Sequence, residues 1–216
     1  MDFQRLYAYR FKDIHQDERI QVWQVLAPHL FEWLGRPQVV LDPAAGRGEF
    51  INAVPARERW ALDMADMRAY MSPEVRFSVG DATRADVPPN HFDAVFVSNF
   101  LEHLSGPEAV QEFLVRMRLA MKDSGRIAVM GPNFGYCGRE YFDCADHVLP
   151  LTHVSVAEHL YAAGYNIRRV IPRFLPYSLR SNLPSHPLLV RAYLRVPLAW
   201  RLMGKQFLLV AEKDLS

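Results

Sequence analysis

Seven short apolar runs set the main constraint on this chain: QVVLD, RWALD, VRFSVGD, FDAVFVSN, GRIAVMG, NIRRVI and QFLLVAE. Each is rich in Val, Ile, Leu or Phe, as a buried strand requires. Between them EFINAV, MADMRAYM, PEAVQEFLVRMRLAMK and VSVAEHLYAAG carry helical spacing, so strand and helix alternate along most of the sequence. That order predicts an α/β fold built on a doubly wound, mostly parallel, seven-stranded sheet. At 216 residues, with 50% hydrophobic and 12% aromatic side chains, the chain suits a single folded domain spanning 1–216.

Two helical additions flank this core. Ile14, Ile20, Trp23, Leu26, Ala27, Leu30, Phe31 and Leu34 recur at near-helical spacing, with a mild interruption expected at Pro28 and a stop at Gly35 and Pro37. Residues 1–36 therefore read as an N-terminal helical cap. The last two strands are separated by a Pro-rich basic and apolar insert, residues 172–205, in which Pro197 bends or restarts a helix.

In an open α/β sheet, ligands bind beyond the carboxyl ends of the strands. Here those ends carry chemistry: Asp42 with the DPAAGRG turn, Asp63, the Gly80-Asp81-Ala82 run, and Ser98 with Asn99. Small residues at Ala44, Ala45, Gly46 and Gly48 admit a ligand close to the backbone. A dinucleotide turn would read G-x-G-x-x-G, whereas the same register gives Ala44, Gly46 and Glu49. Glu49 would repel a diphosphate, which counts against a nicotinamide oxidoreductase. Asp63 could hold ribose hydroxyls or cap a helix near Met64, and Asp81 could be a turn carboxylate or an acceptor for an adenine amine.

In order and spacing, VLDPAAGRGEF, ALDM, VGDATRADVP and FDAVFVSNFLEHL, followed by LAMKDSGRIAVMGPN, resemble the class I S-adenosylmethionine-dependent methyltransferases, in particular the small-molecule methylases. Ala44 stands where that family most often has its first glycine. The resemblance implies a Rossmann-like fold and S-adenosylmethionine as cofactor. It implies that Asp42 and the backbone from Ala44 through Gly46 to Gly48 face the methionine part, and that Asp63 with Met64 borders the ribose. Asp81 and Ala82 would border the adenine, and Asn99 and Phe100 the sulfonium. In YAYRFKD, either Tyr9 or Arg10 closes over the cofactor, Arg10 near its carboxylate, or the segment is an exposed lead-in to the first helix.

Methyl transfer to a hydroxyl needs a base for the departing proton, and histidine suits that role. The catalytic candidates are His103 in LEHL and His147, which follows Asp146 in CADHVLPLTH; a carboxylate–imidazole dyad of Asp146 and His147 is one arrangement. The alternative is that both imidazoles are structural, and the family's Glu-His pair, matched by Glu102 and His103, commonly shapes the floor of the site. After the fifth strand, PNFGYCGREYFDCADHVLPLTH supplies Phe134, Tyr136, Tyr141 and Phe142, with Tyr136, Tyr141 and His153 as candidate acceptor contacts. Cys137 and Cys144 read as free thiols, and their spacing with His147 and His153 matches no common zinc pattern, so no metal is expected.

Net charge is +1, yet from His159 to Ala211 there is no acid, while Arg168, Arg169, Arg173, Arg180, Arg191, Arg195, Arg201 and Lys205 supply eight cations. Three readings of the insert stand: a lid over the acceptor site, a surface for anionic lipid or a partner, or a helix whose arginines pair with the acidic half. Apolar anchors among the cations argue against nucleic acid. The expected acceptor is a small molecule, anionic or lipid-linked, methylated on a hydroxyl in glycan, lipid or secondary-metabolite assembly. The alternatives are N- or C-methylation and a non-catalytic cofactor-binding module. The N-terminus has no apolar core behind a basic start and no run reaches a membrane-spanning length, so a cytoplasmic location is expected by default.

Overall fold

The computed structural model describes residues 3–10, 12, 16–177 and 186–215. All seven expected strands form: β1 (Val39–Asp42), β2 (Glu58–Asp63), β3 (Val75–Val79), β4 (Phe92–Ser98), β5 (Met121–Pro132), β6 (Tyr165–Ile171) and β7 (Gln206–Lys213). They make one sheet of order β3-β2-β1-β4-β5-β7-β6. The sheet is mixed, because β7 runs antiparallel to both of its neighbours while the other pairings are parallel. The helices are α1 (Phe3–Arg10), α2 (Gln16–Trp33), α3 (Glu49–Ala53), α4 (Pro107–Ala120), α5 (Phe134–Cys137), α6 (His153–Ala162), α7 (Pro187–Arg195) and α8 (Pro197–Met203).

Alternation along the central strands sorts side chains onto two covered faces, as a sheet buried on both sides requires. Leu41, Val95, Val97, Ile127, Val129 and Leu209 face α4 and α6, where Val110, Phe113, Met117, Val156 and Leu160 complete one core. Val40, Ala94, Phe96, Ala128, Met130 and Leu208 face α2, α3 and the insert, meeting Leu26, Leu30, Phe50, Leu194 and Trp200. Trp23 stands edge-on to Phe50 and to Phe96, with centroids 6.1 and 5.9 Å away, locking α2 over the start of α3.

Two expectations change. The helix expected at Met64–Met71 is a single 3₁₀ turn at Arg68–Tyr70. Asp63 and Asp66 each accept from a backbone amide two residues on, at 3.0 and 3.1 Å, and such local bonds compete with the helical ladder. Asn52 then pins the segment, donating to Tyr70 O at 2.8 Å and accepting from Ser72 N at 2.9 Å. The other change is at Pro28, which lies inside α2 without breaking it. In the insert, α7 ends and α8 begins around Pro197, as its sequence predicts; Ile14 and Arg180 lie outside the described residues.

Because β6 runs parallel to β5, it ends at the carboxyl edge of the sheet, and antiparallel β7 begins there. The insert therefore leaves and returns at the edge that carries the strand-end acids.

Candidate active site

The turn after β1 is fitted to the end of β2. Ala45 N donates to Leu62 O at 2.9 Å, and Gly46 N donates to Asp63 Oδ2, also at 2.9 Å. Gly46 (φ +53°) and Gly48 (φ +74°) both occupy the left-handed region, where glycine is unstrained. They differ in surroundings. A Cβ on Gly48 would lie 2.7 Å from Met71 Sδ, whereas one on Gly46 would meet nothing within 4 Å. Gly46 thus presents bare backbone to open space.

That space is acidic. Asp42 is 3% exposed and its carboxyl is raised well above the usual range, chiefly by burial, with the charges of Asp63 and Glu49 adding to the rise against the Ala44 amide. Glu49 is itself paired with Arg19 at 2.9 Å. Asp63 accepts two amides, from Gly46 and Ala65, which leaves acceptor capacity on both oxygens. A cation beside Asp42 and a vicinal diol beside Asp63 would relieve these groups; a diphosphate would worsen them. The donor set fits a nucleoside carrying an ammonium and a sulfonium.

The neighbouring loops border the same edge. Asp81 accepts from Thr83 N and Thr83 Oγ1 at 2.8 and 2.7 Å, Ala82 is buried beside it, and Met64 is 62% exposed. Asn99 holds φ +50° at the end of β4, a conformation asparagine tolerates better than most residues. Phe100 packs on Phe113 with centroids 4.8 Å apart.

Beyond Phe100 lies a polar cluster that the sequence pairs differently. His103 turns Nδ1 to the backbone carbonyl of Asp146 at 2.9 Å, with the Asp146 carboxylate at 3.4 Å. Asp146 also receives both terminal nitrogens of Arg10, which docks α1 onto the loop after β5. Burial alone would raise the Asp146 carboxyl; the hydrogen bonds from Arg10 and the nearby positive charges outweigh it and hold the group low. Arg10 is thus placed on Asp146, and Tyr9 is exposed.

His147 is enclosed by Tyr141 and His103, both with ring centroids 4.9 Å away, and its Nε2 stands 4.0 Å from Glu102 Oε1. Burial, aided by the charge of His103, takes it down to about 4, which makes it a poor base. Of the arrangements open in the sequence, the Asp146–His147 dyad is replaced by a contact between Asp146 and His103. Glu102 is 1% exposed and is pushed up to about 7 by burial. Of the four residues considered for a metal, only His147 joins a close set of donors among the described residues, with Glu102 and His103, within 4.8 Å of one another. Both cysteines are free thiols.

The acceptor-side aromatics divide. Tyr136 is 42% exposed, lies 4.9 Å from the Arg173 guanidinium carbon, and stacks on His153. His153 Nδ1 is held at 2.9 Å by the amide nitrogen of fully buried Asn133. Tyr141 has no exposed surface; its hydroxyl donates to Leu149 O at 2.6 Å and accepts from Leu151 N at 3.1 Å. The expectation of Tyr141 as an acceptor contact is therefore corrected to a post that shapes the loop. Sequence reasoning gave Asn133 no part in the site and found neither the Arg10–Asp146 nor the Arg19–Glu49 pair, since no local pattern links such distant positions.

Residues 41–129 match the family model described as a methyltransferase domain. No curated protein matches the chain. Among solved structures, a SAM-dependent methyltransferase from Archaeoglobus fulgidus superposes with a TM-score of 0.68 at 19% identity, covering 98% of this chain and all of that one. A protein from Pyrococcus horikoshii gives 0.67 at 16% identity over 99% of each chain. A geranyl diphosphate C-methyltransferase from Streptomyces coelicolor gives 0.61 at 14%, covering 87% of this chain and 77% of that one. At such identities the structures speak for the fold, and the family match speaks for the chemistry of the strand-end loops. Residues 41–129 thus match a methyltransferase domain, and the chain as a whole has the fold of S-adenosylmethionine-dependent methyltransferases.

Proposed function

We propose that the protein methylates a hydroxyl group of a small-molecule acceptor, with His103 as the general base. S-adenosylmethionine supplies the electrophilic methyl group on a sulfonium. Asp42 and the open backbone at Gly46 receive its amino-acid end, Asp63 its ribose, and the Asp81–Ala82 and Asn99–Phe100 loops its adenine and reacting end. His103 Nε2 would take the proton of the acceptor hydroxyl as its oxygen displaces the sulfur from the methyl carbon, the carbon–sulfur bond breaking and the neutral thioether S-adenosylhomocysteine leaving. The observation that carries this reading is the His103–Asp146 contact. With Nδ1 on the Asp146 carbonyl, Nε2 is the basic nitrogen of the neutral ring, and the side chain is 20% exposed, with no hydrogen-bond partner for Nε2 among the described residues.

The acceptor edge favours a partly apolar substrate. Phe134, Tyr136, Phe142 and Val148 are exposed there, and the Arg173 guanidinium lies over the Tyr136 ring. A lipid-linked or glycan precursor with an anionic group suits that mixture, and the fold accommodates geranyl diphosphate chemistry in the Streptomyces coelicolor enzyme. The test is label transfer from S-adenosylmethionine to a panel of hydroxylated glycolipids, glycosides and amines. Methyl ethers that require His103 support the reading; products methylated only on nitrogen or carbon, formed equally well by His103→Ala, overturn it.

A further inference from the structure

The insert carries a surface that methyl transfer does not use. Its inward side is well anchored: Tyr193 donates from its hydroxyl to Phe174 O at 2.6 Å, and Trp200 Nε1 donates to Tyr193 O at 2.8 Å. Trp200 stands edge-on to Phe174 and to Trp33, with centroids 5.4 and 6.2 Å away. Leu194 is 5% exposed.

With those side chains inward, helical geometry fixes what points out. Leu188, Arg191, Ala192 and Arg195 share the outer face of α7; Leu198, Arg201 and Leu202 share that of α8. The leucines are bare: Leu188 is 64%, Leu198 63% and Leu202 71% exposed. The three arginines are exposed, and among the described residues none makes a side-chain hydrogen bond or ion pair. Other insert cations are spent locally: Arg173 on Gly204 O and Leu202 O, Lys205 on Glu140. The absence of acids from His159 to Ala211 leaves no neighbour in sequence to neutralise the outer face.

We infer that α7 and α8 form a docking surface for an anionic lipid bilayer. No helix among the described residues is long and apolar enough to cross a membrane. The face is instead that of a helix lying in the interface, with leucines reaching the acyl boundary and arginines at the phosphates. Nucleic acid offers the phosphates but nothing for the leucines. The insert starts and ends at the carboxyl edge of the sheet, and its Arg173 lies over Tyr136. The inference concerns binding alone and does not depend on which atom is methylated.

The test is sedimentation of the full chain with vesicles of phosphatidylcholine alone or mixed with phosphatidylglycerol, at low and high salt. Three arginines predict roughly a hundredfold preference for the mixed vesicles, weakened by salt. The double variants Leu198→Glu/Leu202→Glu and Arg191→Glu/Arg195→Glu should each lose at least about tenfold in vesicle binding. Their circular dichroism and S-adenosylmethionine affinity should be unchanged, because these side chains face away from the site. No binding to the mixed vesicles, equal binding to both kinds, or variants that bind as the parent does would overturn the inference. So would a lipid-free dimer that the same substitutions dissociate.

Discussion

His103 and Asp146 lie 43 positions apart, yet the imidazole Nδ1 sits 2.9 Å from the Asp146 carbonyl oxygen. This contact fixes the tautomer and leaves Nε2 as the nitrogen that, on the proposed function, takes the acceptor's proton. His103→Ala should lower kcat for a hydroxyl acceptor by roughly a hundredfold or more, with cofactor affinity unchanged. Steady-state kinetics with calorimetry on the same preparations check this.

Arg10 and Asp146 form a second long-range pair, with side chains 13% and 4% exposed. Removing one partner leaves a nearly buried charge, which costs on the order of 3 kcal/mol. Arg10→Ala should therefore destabilise the protein more than Arg10→Ala/Asp146→Asn, as chemical denaturation would show. Faster amide exchange over residues 3–10 should accompany the single change.

Glu102 and His147 pull stability in opposite directions with pH. Glu102 is raised from 4.5 to about 7, so the folded state holds its proton more tightly. Its contribution is complete below the unfolded value and is lost as pH rises through about 7. His147 is lowered from 6.5 to about 4, so its contribution is present above 6.5 and is lost as pH falls toward 4. Glu102→Gln should then gain on the parent between pH 5 and pH 8 by up to roughly 3 kcal/mol. Melting curves across that range decide it; a constant difference would contradict the assignment.

Tyr136 and Tyr141 should separate by kinetics. Tyr141→Phe removes a hydroxyl that serves Leu149 and Leu151, and should cost about 1–2 kcal/mol of stability while leaving KM nearly unchanged. Tyr136→Ala, at an exposed ring, should raise the acceptor KM with little effect on stability.

What the sequence revealed follows the range of its signals. The strands were legible because Val40-Leu41, Ala94 to Val97 and Leu208 to Ala211 each carry their own apolar pattern. The acidic turn was legible because Asp42, Gly46 and Gly48 sit within a few residues of one another. The segment after Asp63 was misread because apolar spacing did not reveal that Asp63, Asp66 and Asn52 would take its backbone hydrogen bonds. The Asp146–His147 dyad, one of the arrangements the sequence left open, gives way to Asp146 with His103, a pairing that no local pattern reveals. Tyr141 looked like pocket lining until Leu149 and Leu151 were seen to claim its hydroxyl.

The central claim is that the acidic edge formed by Asp42, Gly46 and Asp63 receives S-adenosylmethionine. Calorimetric titration of the parent and of Asp63→Ala with S-adenosylmethionine, and of the parent with NAD, tests it most directly. Saturable binding of the methyl donor, none of NAD, and at least about tenfold weaker binding in the variant are predicted, since a carboxylate hydrogen bond to ribose is worth about 1.5–3 kcal/mol. A variant that binds as tightly as the parent, or a parent that ignores the methyl donor, would contradict the account.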